Sequence, residues 1–323
     1  MKALKKIYFI PLALACSLAV TLKAQDIYVA NYGNNSIGEY GLDGSTINAS
    51  LISGLDYPEG IAISGNDLFV VNSANGTIGE YGLDGSSVNA ALISGLSEPV
   101  EIAISGNDLF VANYNNGTIG EYTTSGQTVN ASLISGLINP SGIAISGDDL
   151  FVADWKTGTV GEYGLDGSTV NASLISGLSG PEGIAISRGD LFVMRYGVGE
   201  YTTSGQTINA SLFFEPNTFG ITVLGNDIFL SEWYAGEVGE FTTSGSTINS
   251  SLVTGLNLAT GLAISPAPEP SGCALAGLGA ALLWRWRRPS ATKKALSVMA
   301  TVLAFNRVRF IPIGGANCPV RHV

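Results

Sequence analysis

The sequence predicts an all-β protein, a six-bladed β-propeller, and three observations predict it. The tetrad Asp67-Leu68-Phe69-Val70 recurs in like form at Asp26, Asp108, Asp149, Asp190 and Asp227. The triplet Gly79-Glu80-Tyr81 recurs with Glu39, Glu121, Glu162, Glu200 and Glu240, for most copies at a spacing of 41 residues. Within a unit, short β-branched and aromatic runs at 61–64, 68–72, 77–81 and 91–96 are separated by Gly-Asn-Asp, Ala-Asn-Gly and Leu-Asp-Gly. Such tripeptides are hairpin-turn chemistry, and four short strands per unit of roughly 40 residues make a propeller blade.

The ends of the repeat region decide closure. Residues 26–31 begin at a second strand with no first strand before it, and residues 261–265 form a first strand with no second strand after it. Joined, they make one blade, so every strand type occurs six times. Pairing the two ends removes the exposed sheet edges an open array would leave.

Composition agrees with a folded, turn-rich body. Of 323 residues, 46% are hydrophobic, 13% are charged and 42 are glycine. The net charge of −11 hides an uneven distribution: residues 26–265 hold three basic side chains, Lys156, Arg188 and Arg195, against 25 acidic ones, a net of −22. A surface so acidic repels phosphate backbones and excludes nucleic acid as its partner. Cys16, Cys273 and Cys318 all lie outside this body, as does the one histidine, His322. Disulfides, thiolate chemistry, histidine-based triads and histidine-ligated metals are therefore excluded from it.

The flanks give the address. Residues 1–24 have the order of an export signal: Lys2, Lys5 and Lys6, an apolar run over 7–22, and a cleavage position after Ala24. The propeller occupies 25–265. Residues 266–288 combine the stiff Pro-Ala-Pro-Glu-Pro linker, an apolar stretch over 271–284 read as a short transmembrane helix, and Arg285, Arg287 and Arg288. Basic residues after an apolar segment stay cytoplasmic, which leaves the propeller outside. Residues 289–323 show no repeat and no motif, and their role is unknown.

Two resemblances follow. "PEGIAISGNDLFVVN" and "PSGIAISGDDLFVADWKTGTVGEY" resemble NHL-type propeller repeats over nearly all of residues 26–265. Pro268-Glu269-Pro270, the apolar stretch and the arginine cluster together resemble a PEP-CTERM sorting signal. That resemblance implies an exosortase-type processing machinery as partner and a transient membrane anchor. It also implies a destination at the cell surface or in an extracellular polysaccharide matrix.

In an antiparallel blade the loops joining second to third strands share a face with the loops between blades. There the second strands end at Asn31, Asn72, Asn113, Asp154, Arg195 and Glu232. The next residues are Tyr32, Ser73, Tyr114, Trp155, Tyr196 and Trp233, and the blade junctions add Glu59, Glu101 and Glu182. Positions identical in all blades serve packing that every blade needs, whereas a site must break the symmetry. The residues that break it are Asp154, Trp155, Arg195, Glu232 and Trp233, and the candidate face as a whole is Tyr32, Asn72, Asn113, Tyr114, Asp154, Trp155, Arg195, Tyr196, Glu232 and Trp233. Its aromatic rings can stack on sugars while amides and carboxylates bond to hydroxyls.

The leading expectation is an exported, non-catalytic binding or structural module that needs no cofactor and takes carbohydrate as its ligand. The alternative is a calcium-dependent lactonase, since the sequence also resembles gluconolactonase-type propellers at the level of fold. Glu59, Asn113, Asp154 and Glu182 are then the oxygen ligands. A third reading is that near-identical blades record duplication with no evolved site.

Overall fold

The second strand of each blade explains the ring. In the computed structural model, which describes residues 25–267, one blade comprises Pro58–Ser64, Asp67–Asn72, Thr77–Gly82 and Ser87–Ser94. The run Leu68-Phe69-Val70-Val71 is at most 1% exposed. Side chains alternate across a strand, so such a run is buried only if apolar surfaces cover both faces of the sheet. Neighbouring blades supply them. Phe69, Val71, Ile78 and Ile93 pack with Ile102, Leu109, Val111 and Tyr122 of the next blade. Six such clusters fill the six seams. The apolar interior is a ring of seams around an axis, with the first strand of each blade innermost.

The recurring Gly-Glu-Tyr triplet is a packing unit. A Cβ on Gly79 would stand 2.6 Å from Cε2 of Tyr81, because the tyrosine ring lies back across the glycine two residues before it. In the blade ending at Val253 a phenylalanine takes the same part, with Gly239 beneath Phe241.

The outer strand is longer than its apolar residues suggested. It spans Ser87–Ser94 where the sequence pattern gave 91–96, because its first five residues are all exposed and hold a single large apolar side chain, Val88. There its register against the third strand shifts, and Asn89 Oδ1 accepts the N–H of Ala91 at 3.2 Å. The same bond joins Asn48 to Ser50 and its counterparts in the other blades. These Asn-centred segments are bulges that disrupt a free sheet edge.

The ring closes as the strand count requires. Ala259–Ile264 pairs antiparallel with Asp26–Asn31, with Ile27 opposite Ile264 and Val29 opposite Leu262. Ser265 fastens the seam: its Oγ accepts the Asp26 N–H at 2.8 Å, and its own N–H donates to Asp26 O at 2.9 Å. Thr260 Oγ stands 2.9 Å from Pro58 O and 3.3 Å from Ala30 O, and so reaches from the closing strand to the next blade. On the other side Ser231 Oγ donates to Thr260 O. Both chain ends leave the propeller beside the first-to-second-strand turns. Residues 1–24, the sorting residues Pro268, Glu269, Pro270, Arg285, Arg287 and Arg288, and residues 289–323 lie outside the described residues.

Thr260 is fully buried. Thr260→Val keeps the shape of the side chain and strands the carbonyls it serves, which costs about 1–3 kcal/mol. Urea denaturation of the purified protein should show that loss as a lower midpoint with an unchanged slope.

Candidate functional site

The face opposite the chain ends is built by one device used six times. Just before each inner strand stands a residue with positive φ: Tyr57 (53°), Glu98 (50°), Asn139 (63°), Gly180 (59°), Asn217 (65°) and Leu258 (54°). In five blades its carbonyl accepts the N–H of the residue after the second strand: Tyr32, Ser73, Tyr114, Trp155 and Trp233, at 2.9–3.1 Å. The left-handed region costs a residue with a Cβ roughly 1–2 kcal/mol. Tyrosine, glutamate and leucine are uncommon there, and Tyr57 and Glu98 turn this strained corner towards the face.

The residues that end the second strands support this device from below. Asn72 Oδ1 accepts the Asp56 N–H at 3.2 Å, and Asn113 Oδ1 that of Ser97 at 3.4 Å. Asp154 Oδ2 accepts the Ile138 N–H at 2.7 Å, while its Oδ1 accepts that of Thr157 at 3.1 Å. All three side chains are buried. The structure thus brings Asn72, Asn113 and Asp154 to the expected face but commits them to holding loops. The residues that follow them present their rings.

Those rings are concentrated on one arc. A cavity of about 630 Å³ is lined by Trp155, Tyr196, Phe219, Trp233 and Tyr234, with Lys156, Glu182 and Arg195 among them. Tyr57 and Tyr32 lie 4.6 Å apart between ring centroids, Tyr32 and Trp233 4.9 Å, and Phe219 and Trp233 5.1 Å. These contacts make a continuous aromatic path. Tyr196 and Tyr234 are 65% and 77% exposed, so their rings are open to a ligand.

Three members of this arc, Tyr57, Phe219 and Tyr234, were not on the sequence-derived list. Phe219 had a signal, since it takes the inner-strand position that holds Glu59, Val100, Ser141, Glu182 and Thr260 in the other blades. Arg195 and Tyr196 occupy the loop that is three residues short. There Arg195 N donates to Gly197 O at 2.8 Å, and Arg195 Nη2 donates to Ala210 O at 2.9 Å.

Beside the aromatic cavity, and sharing Trp155, Glu182 and Phe219 with it, lies an axial one of about 250 Å³. Glu59, Glu98, Glu101 and Tyr114 complete its wall. Glu101 stands where the other inner strands carry glycine. A Cβ on Gly60 would meet the Glu101 carboxylate oxygen at 2.8 Å, so this carboxyl occupies room that the missing side chain leaves.

Burial pushes Glu101 up to about 8, against a hydrogen bond from the Ile102 N–H and with help from Glu59. Burial also raises Glu59 to about 7, opposed by Ser73 and assisted by Glu98, and raises Glu182 to about 7. Glu232 reaches about 7 through burial, Glu215 and Glu237. The phenols of Tyr32 and Tyr114 rise through burial and these neighbouring carboxyls.

The four oxygen ligands of the calcium reading do not fit an ion as they stand. Asn113 and Asp154 spend their oxygens on backbone N–H groups, while Glu59 and Glu182 line the axial cavity. Among the described residues no group of three or more His, Cys, Asp or Glu is placed to hold a metal.

A glutamate in the unfolded chain titrates near pH 4.3, roughly. Between about pH 5 and 8 the folded protein therefore keeps protons that the unfolded chain has released, and stability falls as pH rises through that window. Glu101→Gln removes its share of this penalty. In denaturant titrations the variant should match the parent near pH 4.5, roughly where unfolded glutamate is half protonated, and exceed it in mildly alkaline buffer.

No protein-family model and no curated protein matches the chain. Solved structures do. The chain is similar to one from a nidogen/laminin complex at 16% identity and a TM-score of 0.64, over 76% of this chain and all of that one. It is similar to a streptogramin B lyase at 19% identity and a TM-score of 0.57, over 73% of this chain and 82% of that one. A catalytically inactive virginiamycin B lyase from Staphylococcus aureus, with quinupristin, matches at 21% identity and a TM-score of 0.54, over 72% and 86% of the two chains. At such identities the likeness is one of fold: this chain is a six-bladed β-propeller, an architecture found among both binding proteins and enzymes.

Proposed function

We propose that this propeller is an exported, non-catalytic module that binds carbohydrate on its aromatic face at the cell surface or in an extracellular polysaccharide matrix. The observation that carries the reading is the concentration of Trp155, Tyr196, Phe219, Trp233 and Tyr234 around one open cavity. A ring follows the second strand in five of the six blades, but Phe219 and Tyr234 have no aromatic counterpart elsewhere and concentrate the rings on one arc. Flat apolar rings edged by polar groups suit the alternating apolar and hydroxyl-bearing surface of a pyranose.

Delivery rests on the flanks. The export signal, the Pro268-Glu269-Pro270 motif and the arginines Arg285, Arg287 and Arg288 lead the chain to an exosortase-type machinery, with a membrane anchor before processing. The fold suits this route, because the chain leaves the propeller on the face away from the groove.

Catalysis of the lyase kind has little support. The inactive lyase carries alanine in place of a histidine, and residues 25–267 contain no histidine. A hydrolytic reading draws on one observation, the carboxyls of Glu59, Glu101 and Glu182 raised to about 7, 8 and 7. Carboxyls poised near neutrality can act as general acids or bases. We expect no turnover of aliphatic and sugar lactones with or without calcium; turnover abolished by Glu101→Gln would install the hydrolytic reading instead.

The binding reading is tested by calorimetric titration with neutral and acidic oligosaccharides. Truncating a central ring of a binding site costs about 2 kcal/mol or more, roughly 30-fold in Kd. Trp155→Ala and Trp233→Ala should each weaken binding by that factor. Affinity unchanged in the double variant would remove the aromatic face as the site.

A further inference from the structure

We infer that the sugar held in the aromatic groove carries a carboxylate, and that Lys156 and Arg195 are its counter-charges. The inference rests on the carbohydrate reading and specifies its ligand as a glycan bearing isolated uronic-acid residues. It starts from a distribution. Residues 26–265 contain three basic side chains among 25 acidic ones, and two of the three, Lys156 and Arg195, line this one cavity. Cations needed only for solubility or for pairing with surface acids would be spread around the ring.

Neither cation has a carboxylate partner among the described residues. Lys156 Nζ stands 6.0 Å from the centre of the Trp155 ring, at the margin of a cation–π contact. Arg195 donates one guanidinium N–H to Ala210 O at 2.9 Å, which orients the group and leaves further donors of its planar fork. A planar fork matches the two oxygens of a carboxylate.

The origin of Arg195 supports a selected role. In four blades the same position is Asn31, Asn72, Asn113 or Asp154, each accepting a backbone N–H of the incoming loop. An arginine cannot accept a hydrogen bond. The shortened loop of this blade gives up that support and gains a cation at the rim of the groove. Trp155 and Trp233 then offer the ring faces, and the carboxylate projects from the edge of the sugar.

Two features limit how much negative charge the ligand can carry. Glu182 also lines the cavity, and the body has a net charge of −22. At physiological salt a fixed charge is screened over about 8 Å. A single carboxylate between Lys156 and Arg195 feels mainly those two neighbours, whereas a densely charged polyanion feels the acidic body as well. The class that fits is a mostly neutral glycan with separated uronates.

The test uses the purified propeller and a tetrasaccharide with one terminal glucuronate, compared with its carboxyl-reduced, neutral twin. The acidic sugar should bind at least tenfold more tightly, in line with a charge-assisted hydrogen bond worth about 1.5 kcal/mol or more. Lys156→Gln and Arg195→Gln should each lower affinity for it by roughly tenfold, since each removes such a contact, and lower affinity for the neutral twin by clearly less. The pair together should erase the preference, with cooperative thermal unfolding confirming that both variants fold. Equal affinity for the two sugars, or a preference that survives in the double variant, would overturn the carboxylate assignment and leave the carbohydrate reading standing. Binding of neither sugar by the folded parent would overturn both.

Discussion

Burial of the second strand on both of its faces is the constraint on which the rest of this structure depends. A strand such as Leu68-Phe69-Val70-Val71 cannot be satisfied within its own blade, because a four-stranded sheet offers it hydrogen bonds but no cover. Each blade therefore needs a neighbour on either side, and an open row of such blades without capping repeats would leave an apolar face bare at each end. The closing strand Ala259–Ile264 is the answer to that requirement. The polar bonds around it, from Ser265 to Asp26 and from Thr260 to Pro58 and Ala30, lie where the covalent chain supplies no continuity.

The same constraint divides the surface into parts that vary and parts that do not. Seam residues are held by two blades at once, which is why Gly-Glu-Tyr and the apolar tetrad recur with little change. The loops on the candidate face are held by backbone bonds and one supporting amide or carboxylate, so the side chain after each second strand is free to differ. Five blades keep the backbone bond while the side chain it presents varies, and in two of them Asp154 or Glu232 replaces the asparagine. The blade that lost three residues changed the supporting residue too, and Arg195 is the result. Specialisation on this ring follows the positions where packing makes no demand.

Much of this was legible in the sequence, because period and turn chemistry are local signals. The strand count and the closure followed from counting. The start of the outer strand was missed, since Ser87-Val88-Asn89-Ala90-Ala91 is exposed and carries no apolar alternation. Asn72, Asn113 and Asp154 posed a harder problem. An amide that supports a loop and an amide that binds a sugar have the same chemistry, and only burial separates them. Their recurrence in four blades was the available hint, because what every blade repeats serves the blade. Tyr57 and Glu98 gave no hint, as nothing local marks a residue that will be forced to positive φ.

The acidic mouth and the aromatic groove are best understood together. Four glutamates around the axis would repel one another if all were ionised; burial raises Glu59, Glu101 and Glu182 towards neutrality, helped at Glu59 by Glu98 and at Glu101 by Glu59. The arrangement costs stability as the medium becomes alkaline, and no packing need of the ring explains it, since glycine fills the Glu101 position in the other five blades. A protonated carboxyl both donates and accepts hydrogen bonds, as a sugar hydroxyl does. Glu182 and Phe219 border both cavities, so on the proposed carbohydrate reading a chain of sugars lying in the groove would meet partly protonated carboxyls at the axis and cations at the rim. The polarity of the face thus runs from partly protonated carboxyls at the centre to the cations Lys156 and Arg195 at the rim, and on the proposed reading a glycan with a single charged end would lie along it in one direction.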